Sequence, residues 1–222
     1  MPVFTPKFIT FDCYGTLINF DMAGAARRCF ADRVGADVMP AFISDFARFR
    51  LDEVLGAWKP YYEVVSNALQ RACHKWKAEW QPADSDFIYA DCKTWTAHPD
   101  VPGGLQKIAS EIPLVLLTNS MNDLIPHHVP RLGAPIYMTI TAEETGAYKP
   151  AMRGFEYMLD KLGCGPDQIL HVSSSLRYDL MTAHDLGITH KVFVNRGHEP
   201  GCPEYGYSEI QDISELPAIV GL

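Results

Sequence analysis

The second half of the sequence alternates short apolar runs with amphipathic segments, and this alternation limits the possible folds more than any other feature. Strands are predicted for the runs PLVLLTN, PIYMTITAEE, QILHVSSS and HKVFVNR, in which apolar and β-branched residues predominate. Helices are predicted for the segments LQKIASEI, NDLIPHHVPRLG, RGFEYMLDKLG and YDLMTAHDLG. Strands that alternate with helices form a parallel sheet with helices on both faces. The sequence therefore predicts an α/β fold built on a doubly wound parallel sheet.

A further predicted strand lies far from the others, near the start of the chain. The run KFITF ends at Asp12, and the turn CYGT follows it at once. Between residues 20 and 97 the apolar residues recur with helical spacing, which indicates a bundle of amphipathic helices. Because the first strand must pair with the distant ones, this bundle is an insertion. We expect a core domain at 1–19 and 98–222 and a helical cap domain at 20–97.

Four clusters of polar residues follow the predicted strands. They lie at residues 12–16, 118–120, 149–150 and 173–179. The carboxyl ends of parallel strands meet at one edge of a sheet, where open α/β folds bind their ligands. We therefore expect residues that are far apart in sequence to line one pocket.

The charge balance narrows the kind of ligand. The chain has 19 Lys and Arg against 27 Asp and Glu, which gives a formal net charge of −8. Such a field repels nucleic acids and anionic membrane surfaces, so we expect neither as a partner. No apolar run reaches the roughly 18–20 residues that a membrane span needs. A small anionic substrate would need lysines or arginines close to its site.

Cysteine and histidine spacing gives two further expectations. The six cysteines lie far apart without a CxxC pair, and the first residues lack a charged segment followed by a long apolar one. We therefore expect reduced thiols and a cytoplasmic protein. The eight histidines show neither HxH nor HExxH spacing, so no histidine metal site is expected.

The four polar clusters resemble the motifs of a known family. In order along the chain, FDCYGTLI, LLTN, YKP and HVSSSLRYDLMTAHDLGI resemble the four motifs of the haloacid dehalogenase-like superfamily, and they cover nearly the whole chain. The resemblance implies a Rossmann-like core with an inserted cap, and it makes Asp12 a nucleophile that forms a covalent ester with the substrate. The alternative is an aspartate that caps the turn after the strand.

Two positions distinguish branches of that superfamily. Its phosphoryl-transferring members have a second aspartate two residues after the nucleophile and acidic Mg²⁺ ligands in the fourth motif, where this chain has Tyr14 and Ser174. The chain is instead similar to the 2-haloacid dehalogenase branch, which works without metal, so we expect no metal and no cofactor. The alternatives are a Mg²⁺-dependent phosphatase acting on a small phosphate ester and a catalytically silent binding protein.

The resemblance to that branch implies an (S)-2-haloacid dehalogenase and gives roles to the residues near Asp12. Asp12 is expected to displace halide from C2 of a short 2-haloalkanoate, after which water releases the 2-hydroxy acid from the ester. Thr118 and Asn119 are expected to hold the substrate carboxylate, together with the backbone amides of Cys13 and Tyr14. A simple turn after a buried strand is the alternative for Thr118 and Asn119.

The remaining polar residues are expected to support Asp12. Lys149 should lie beside it, keep it ionised and favour the anionic substrate. Asp179 is expected to orient Lys149 or to activate the hydrolytic water, which Ser173 and Ser175 would position. Ser175 and Asp179 could also cap the helix that follows them.

The fourth motif and the helical insertion depart from the dehalogenase pattern. VSSSLRYD is one residue longer between valine and aspartate than the VSSNxxD form, and the expected asparagine is missing. The family's cap supplies an arginine that binds the leaving halide. Arg48 and Arg50 are the candidates here, although the expected register contains Asp52. Members of this branch are often dimers, which implies a possible homodimer.

Overall fold

The structure is a computed structural model that describes residues 4–222. Residues 1–3, which are part of the predicted core domain, lie outside the described residues. The chain divides into two compact units, one formed by the residues up to Asn19 together with Thr96–Leu222, and the other formed by Phe20–Trp95. Every helix within residues 4–222 is too short or too polar for a membrane crossing.

A parallel sheet forms the centre of the first unit. Its described strands are β1 (Phe8–Phe11), β2 (Leu114–Thr118), β3 (Met138–Thr141), β4 (Ile169–Ser173), β5 (His190–Val194) and β6 (Ser208–Ile210). The strand order is β3-β2-β1-β4-β5-β6, and each neighbouring pair is parallel. This sheet confirms the predicted fold class. The sequence does not predict β6, because two of its three residues are exposed and polar.

The α-helices surround this sheet or form the second unit. The second unit contains α1 (Met22–Phe30), α2 (Met39–Leu55), α3 (Tyr61–Trp76) and α4 (Pro82–Cys92). The first unit contains α5 (Val101–Ala109), α6 (Ala142–Thr145), α7 (Met152–Leu162), α8 (Met181–Asp185) and α9 (Leu216–Ile219) among its described residues.

The central strands of the sheet are mainly apolar because both faces are covered. All residues of β2 and β4 are buried. Helix α7 is amphipathic, and it packs Phe155 and Met158 into a cluster with Val115, Leu117 and Ile140. Burial of such side chains contributes roughly 1.5–3 kcal/mol each to folding. This packing fixes the strand ends that support the polar clusters.

The segment NDLIPHHVPRLG is not the helix that its periodicity predicts. It forms two short 3₁₀ turns, Ile125–His127 and Val129–Leu132. Pro126 and Pro130 lack the backbone N–H that a continuous helix needs, so each turn ends after a few residues.

The segment PIYMTITAEE is only partly a strand. The strand ends at Thr141, whose hydroxyl accepts a hydrogen bond from the Glu144 N–H at 3.1 Å and caps helix α6. The cap residue explains why the strand is shorter than the predicted run.

The second unit is held together by apolar helix faces and by a partly buried ion pair. Phe30 and Phe42 pack together with ring centroids 5.0 Å apart, which joins α1 to α2. Arg33, three residues after α1, forms hydrogen bonds to both carboxylate oxygens of Asp84 at 2.6 and 2.8 Å, which joins the end of α1 to α4. Two parallel charge-assisted hydrogen bonds make this a strong ion pair.

Candidate active site

The predicted polar clusters meet at the carboxyl edge of the sheet. Asp12 directly follows β1, the strand that lies between β2 and β4, and its N–H donates to the carbonyl of Val172 at 3.0 Å. Thr118 ends β2 and Ser173 ends β4. The topology therefore brings the first, second and fourth clusters together, as the strand-end argument predicts.

Lys149 connects the third cluster to Asp12. Its ammonium nitrogen donates to Asp12 Oδ1 at 2.9 Å, to Asp179 Oδ1 at 2.7 Å and to the carbonyl of Leu117 at 2.8 Å. An ammonium group has three hydrogens, so these bonds use all of them. The side chain is 2% exposed. The ammonium group therefore has no hydrogen left for a direct hydrogen bond to a substrate, and its predicted support of an anionic substrate stays a prediction.

The second oxygen of Asp12 is bound by the turn that follows β1. Thr16 Oγ1 donates to Asp12 Oδ2 at 2.7 Å. The carbonyl of Cys13 accepts from the N–H groups of Leu17 and Ile18 at 2.8 and 2.9 Å, which closes the turn. The carboxylate is thus held in one orientation by a neutral donor on one oxygen and a cation on the other.

The pKa values of Asp12 and Asp179 are shifted in opposite directions, although both carboxylates are buried. Burial raises the pKa of Asp12, and the charge of Lys149 opposes this rise without cancelling it. Burial also acts to raise the pKa of Asp179, but Lys149 and a hydrogen bond from His171 outweigh it, so this pKa is lowered. Burial acts to lower the pKa of Lys149, and the two carboxylates outweigh it. Asp12 is therefore more easily protonated than Asp179. The charge of Lys149 acts in the expected direction, because it limits the rise in the pKa of Asp12.

Asn119 fixes the backbone of Lys149. Its Nδ2 donates to the carbonyl of Lys149 at 2.9 Å, and its Oδ1 accepts from the N–H of the same residue at 2.7 Å. An amide nitrogen has two hydrogens, and the predicted contact of Asn119 with a substrate carboxylate stays a prediction.

Thr118 is the second-cluster residue that keeps a free hydroxyl. Its side chain is buried, and within residues 4–222 its Oγ1 has no hydrogen-bond partner. An unpaired buried hydroxyl is unfavourable unless a ligand or water completes it. The predicted role of Thr118 as a donor to a substrate carboxylate stays a prediction, and so does that of the backbone amides of Cys13 and Tyr14.

Tyr14 and Ser174 provide hydroxyl groups where the phosphatases have carboxylates. Tyr14 Oη lies 3.0 Å from Ser120 Oγ, and its ring meets the edge of His128 with centroids 5.1 Å apart. The Ser174 N–H donates to Thr16 Oγ1 at 2.8 Å. Within residues 4–222, no group of three or more His, Cys, Asp or Glu side chains has an arrangement that could hold a metal ion.

The extra residue of the fourth motif is accommodated by a π-helical turn. This turn spans Leu176–Leu180 and precedes α8, with hydrogen bonds from Leu180 N to Ser175 O at 3.2 Å and from Met181 N to Leu176 O. A π-turn absorbs one additional residue without displacing the rest of the helix. Asp179 still reaches Lys149 as a result, and the predicted helix YDLMTAHDLG begins with this wider turn.

The serines of the fourth motif order the same turn. Ser173 Oγ accepts from the Ser175 N–H at 3.0 Å, and Ser175 Oγ accepts from the Tyr178 N–H at 3.1 Å, which is the capping role considered for Ser175. Their predicted role in positioning water stays a prediction. Asp179 lies inside the turn, fully buried.

Glu199 also stabilises this turn, and the motifs do not predict it. Its Oε2 accepts from the N–H groups of Leu176 and Arg177 at 2.8 and 3.2 Å, and its Oε1 lies 3.3 Å from Ser175 Oγ. A carboxylate is favourable at the start of a helical turn because the first N–H groups there are unpaired.

His171 is the second residue that the motifs do not predict. Its Nε2 lies 3.1 Å from Asp179 Oδ1, and the side chain is fully buried. A signal exists in the sequence, because a histidine interrupts the apolar strand ILHV two residues before Ser173 and so shares its face.

The candidate halide ligands both belong to the second unit. Arg48 is 74% exposed and lies 3.5 Å from Asp45. Arg50 donates to Tyr61 Oη at 3.2 Å, and its guanidinium lies over the rings of Phe20 and Phe46. The residue in the expected register, Asp52, pairs with Arg71 at 2.7 Å. A role of Arg48 or Arg50 in halide binding stays a prediction.

Comparisons with known proteins match this arrangement of motifs. The family model of the haloacid dehalogenase-like hydrolases matches residues 6–187. A Burkholderia cepacia protein named (S)-2-haloacid dehalogenase 4A is 27% identical over 219 residues, which covers 93% of this chain and 91% of the relative. (S)-2-haloacid dehalogenase 1 of Pseudomonas sp. strain CBS-3 is 23% identical over 95% of this chain and 94% of its own length.

A solved structure shares the fold along the whole chain. It is the L-2-haloacid dehalogenase of Xanthobacter autotrophicus with chloropropionic acid covalently bound, and it superimposes with a TM-score of 0.79 at 18% identity, covering 98% of this chain and 99% of the other. At this identity the match shows a common fold.

Proposed function

The chain belongs to the haloacid dehalogenase-like hydrolases, and within that family we propose that it is an (S)-2-haloacid dehalogenase. The observation that supports this most directly is the buried Asp12 carboxylate beside Lys149, with hydroxyl residues in place of the phosphatase acids. Both curated relatives carry the dehalogenase name. The Xanthobacter structure contains a covalently bound chloropropionic acid, the kind of adduct that a carboxylate nucleophile would form.

The first proposed step is displacement of halide by Asp12. A carboxylate oxygen of Asp12 attacks C2 of the 2-haloalkanoate, the carbon–oxygen bond forms with inversion, and the halide leaves with the electron pair of the broken bond. The raised pKa of Asp12 makes its anion more nucleophilic than an ordinary aspartate. The free hydroxyl of Thr118 would hold the substrate carboxylate.

The second proposed step is hydrolysis of the ester on Asp12. Water attacks the carboxyl carbon of Asp12 to form a tetrahedral intermediate, which collapses by breaking the bond between that carbon and the product oxygen. One proton of the water passes to the leaving alkoxide to give the 2-hydroxy acid and the other passes to solvent, so the water oxygen stays in the carboxylate of Asp12. Lys149 lies 2.9 Å from Oδ1, where it would stabilise the negative charge of the tetrahedral intermediate. Asp179 orients this lysine through its 2.7 Å contact. Ser173 and Ser175 would position the attacking water.

The competing proposal is a Mg²⁺-dependent phosphatase. Mg²⁺ prefers oxygen ligands and is usually bound by carboxylates, and a phosphatase of this family also needs an acid two residues after the nucleophile. Tyr14 and Ser174 provide neither a carboxylate nor a titratable acid in the neutral range, and the Tyr14 hydroxyl lies against Ser120. The donor set therefore favours attack on carbon.

Three further proposals concern the setting of this enzyme. We propose that the helical segment at 20–97 is the cap domain and that Arg48 or Arg50 binds the leaving halide. We propose a cytoplasmic location, because all six cysteines are free thiols, which a reducing compartment maintains. We also propose a homodimer, which light scattering of the purified protein would test.

Halide release from L-2-chloropropanoate in the presence of EDTA tests the dehalogenase proposal, with chloroacetate and fluoroacetate as further substrates. We expect release in EDTA from the wild type and none from Asp12→Asn. Activity that EDTA abolishes, or turnover of p-nitrophenyl phosphate without halide release, would favour the phosphatase. Single turnover in ¹⁸O water should label the Asp12 peptide.

A further inference from the structure

A polar pair lies one residue layer beneath the carboxyl edge of the sheet, in its otherwise apolar interior. Thr10 on β1 and His171 on β4 are register partners, and both side chains are fully buried. Residues two apart on a strand share a face, so Thr10 lies on the face of Asp12 and His171 on the face of Ser173. The pair extends the catalytic cluster into the core.

Both ring nitrogens of His171 have polar partners. Nδ1 lies 2.8 Å from Thr10 Oγ1, and Nε2 lies 3.1 Å from Asp179 Oδ1. An ionised carboxylate only accepts hydrogen bonds, so Nε2 carries the hydrogen and donates to Asp179. The ring of Phe155 meets the imidazole at an interplanar angle of 70°, with centroids 5.0 Å apart. The imidazole is therefore fixed in orientation by hydrogen bonds at two atoms and by an aromatic contact.

The hydrogen bonds around Lys149 are unequal on its two sides. Asp179 Oδ1 accepts from both Lys149 and His171, at 2.7 and 3.1 Å. Asp12 accepts from the ammonium at 2.9 Å on one oxygen and from the Thr16 hydroxyl at 2.7 Å on the other, whereas within residues 4–222 Asp179 Oδ2 has no hydrogen-bond partner. The ammonium nitrogen lies closer to Asp179 than to Asp12, and the N–H of His171 is the second donor that stabilises the anion of Asp179.

We infer that His171 is a positioning residue of the active site: it holds Asp179 ionised against Lys149, so that these two charges balance and Asp12 remains the reactive carboxylate. The inference rests on the proposed dehalogenase function for its catalytic consequence, but its structural content is independent of the substrate. A residue of the core, His171, would thereby determine which of the two carboxylates is the nucleophile.

The groups around Asp179 agree with this assignment. The charged or titratable side chains that act on it are His171 from β4 and Lys149 from the segment between α6 and α7, with Asp12 and Cys13 beyond Lys149 at the end of β1. The pKa of Asp179 is lowered although burial alone would raise it, and the hydrogen bond from His171 contributes to this. The repulsion from Asp179 in turn helps to raise the pKa of Asp12.

Substitutions of His171 separate the hydrogen bond from packing. His171→Phe keeps an aromatic ring and removes the donor, whereas His171→Gln keeps an N–H close to the position of Nε2. His171→Asn is a second donor-loss variant, because its shorter amide does not reach Asp179. It keeps a polar side chain beside Thr10, so it remains available as a test if His171→Phe fails to fold. Phe155→Leu is the matched control, since it removes the ring contact with His171 and no hydrogen bond.

Carboxyl ¹³C NMR of aspartate-labelled protein measures the two titrations without substrate, with signals assigned through Asp12→Asn and Asp179→Asn. In His171→Phe and His171→Asn we expect the pKa of Asp179 to rise and that of Asp12 to fall by about one pH unit, the scale of a neighbouring-charge effect. His171→Gln and Phe155→Leu should keep the wild-type separation. Unmoved titrations in both donor-loss variants would overturn the inference.

Single-turnover halide release gives the catalytic readout. The donor-loss variants should form the ester about threefold more slowly, since roughly half of the 1.36 kcal/mol that corresponds to one pKa unit is expressed in the rate of a nucleophilic attack, and the acid limb of their pH profile should move to lower pH. A wild type that releases no halide would reject the proposed function and leave the NMR result to decide the role of His171. Slower release without a shifted acid limb would indicate a merely structural role.

Discussion

Asn119 holds Lys149 by its backbone, with Nδ2 donating to the lysine carbonyl at 2.9 Å and Oδ1 accepting from the lysine N–H at 2.7 Å. The residue after one strand thus fixes a residue that lies 30 positions further along the chain. The three ammonium hydrogens of Lys149 are all used in hydrogen bonds, and Asn119 holds the backbone of the same residue. The charge of Lys149 is therefore fixed in one position. Lys149 is thus positioned by Asn119 of the second motif as well as by its own loop.

The two hydrogen bonds between Asn119 and the backbone of Lys149 predict the effect of Asn119→Ala. Loss of two hydrogen bonds at about 1 kcal/mol each should lower the free energy of unfolding by about 2 kcal/mol. Lys149 would then move relative to Asp12, so kcat should fall about tenfold or more with little change in KM. Chemical denaturation and steady-state kinetics measure both. A rise in KM alone, with unchanged stability, would instead support the role of carboxylate ligand that the sequence suggests.

Lys149→Met tests the buried charge pair. The substitution leaves Asp12 and Asp179 without a cation, which should destabilise the fold by about 3–5 kcal/mol at neutral pH. Both carboxylates would then have folded-state pKa values above their unfolded ones. Their contribution to stability is present in acid and lost as the pH rises, so the Tm deficit should shrink as the pH is lowered from about 8 to about 5.

A surface lysine provides the control for this experiment. Lys161 pairs with Glu144 at the surface and is 43% exposed, so Lys161→Met should change Tm little at any pH. A deficit of Lys149→Met that stays constant across the pH range would contradict the proposed charge arrangement.

The pKa of Asp12 is expected to determine the acid limb of the pH–rate profile. Attack needs the ionised carboxylate, so kcat/KM should decline on the acid side through a pKa above 3.8, the ordinary value for aspartate. Thr16→Val removes the donor to Oδ2 and should move this limb to higher pH, because that hydrogen bond lowers the pKa of Asp12. The pH dependence of halide release checks both statements. An acid limb that does not respond to Thr16→Val would show that another group controls it.

The sequence predicts the parallel sheet and most of the cluster around Asp12 because both depend on local patterns. Alternating strands and helices determine the topology, and residues at strand ends then converge without further information. Lys149 and Asp179 follow β3 and β4, which are separated by β2 and β1 in the sheet, and they contact each other because both lie beyond the same carboxyl edge. Such contacts can be predicted once the order of strands and helices along the chain is known.

The sequence motifs do not predict His171 or Glu199. His171 lies within an apolar strand, and Glu199 is distant in sequence from the turn that it contacts. His171 lies within a strand that reads as buried core. Glu199 lies 24 positions after Ser175 in a loop beyond β5, and no spacing in the sequence connects it to the π-turn. The extra residue of the fourth motif is visible in the sequence, but the π-turn that absorbs it is a property of the folded backbone.

Glu199→Gln tests whether the π-turn controls hydrolysis. The carboxylate accepts from two backbone N–H groups, so loss of its charge should destabilise the turn by about 1 kcal/mol. Because the turn carries Ser175 and Asp179, we expect ester hydrolysis to slow more than ester formation, with a burst of halide before steady turnover. Glu209→Gln is the control, since the side chain of Glu209 accepts from Asn195 Nδ2 at 2.8 Å on the exposed edge of the sheet, away from the π-turn. Equal slowing of both steps would reject a specific role in hydrolysis.

The double variant Tyr14→Asp and Ser174→Asp tests whether two residues divide dehalogenase from phosphatase chemistry. It would give the first motif a second carboxylate and place another at Ser174, whose N–H is already bound to the Thr16 hydroxyl next to Asp12. Mg²⁺ binds such carboxylate and water ligands, so we expect binding in the millimolar range by calorimetry and none by the wild type. Halide release should fall, because Mg²⁺ on Asp12 would weaken its attack on carbon. A double variant that folds, binds no Mg²⁺ and still releases halide would show that these two positions do not determine the chemistry.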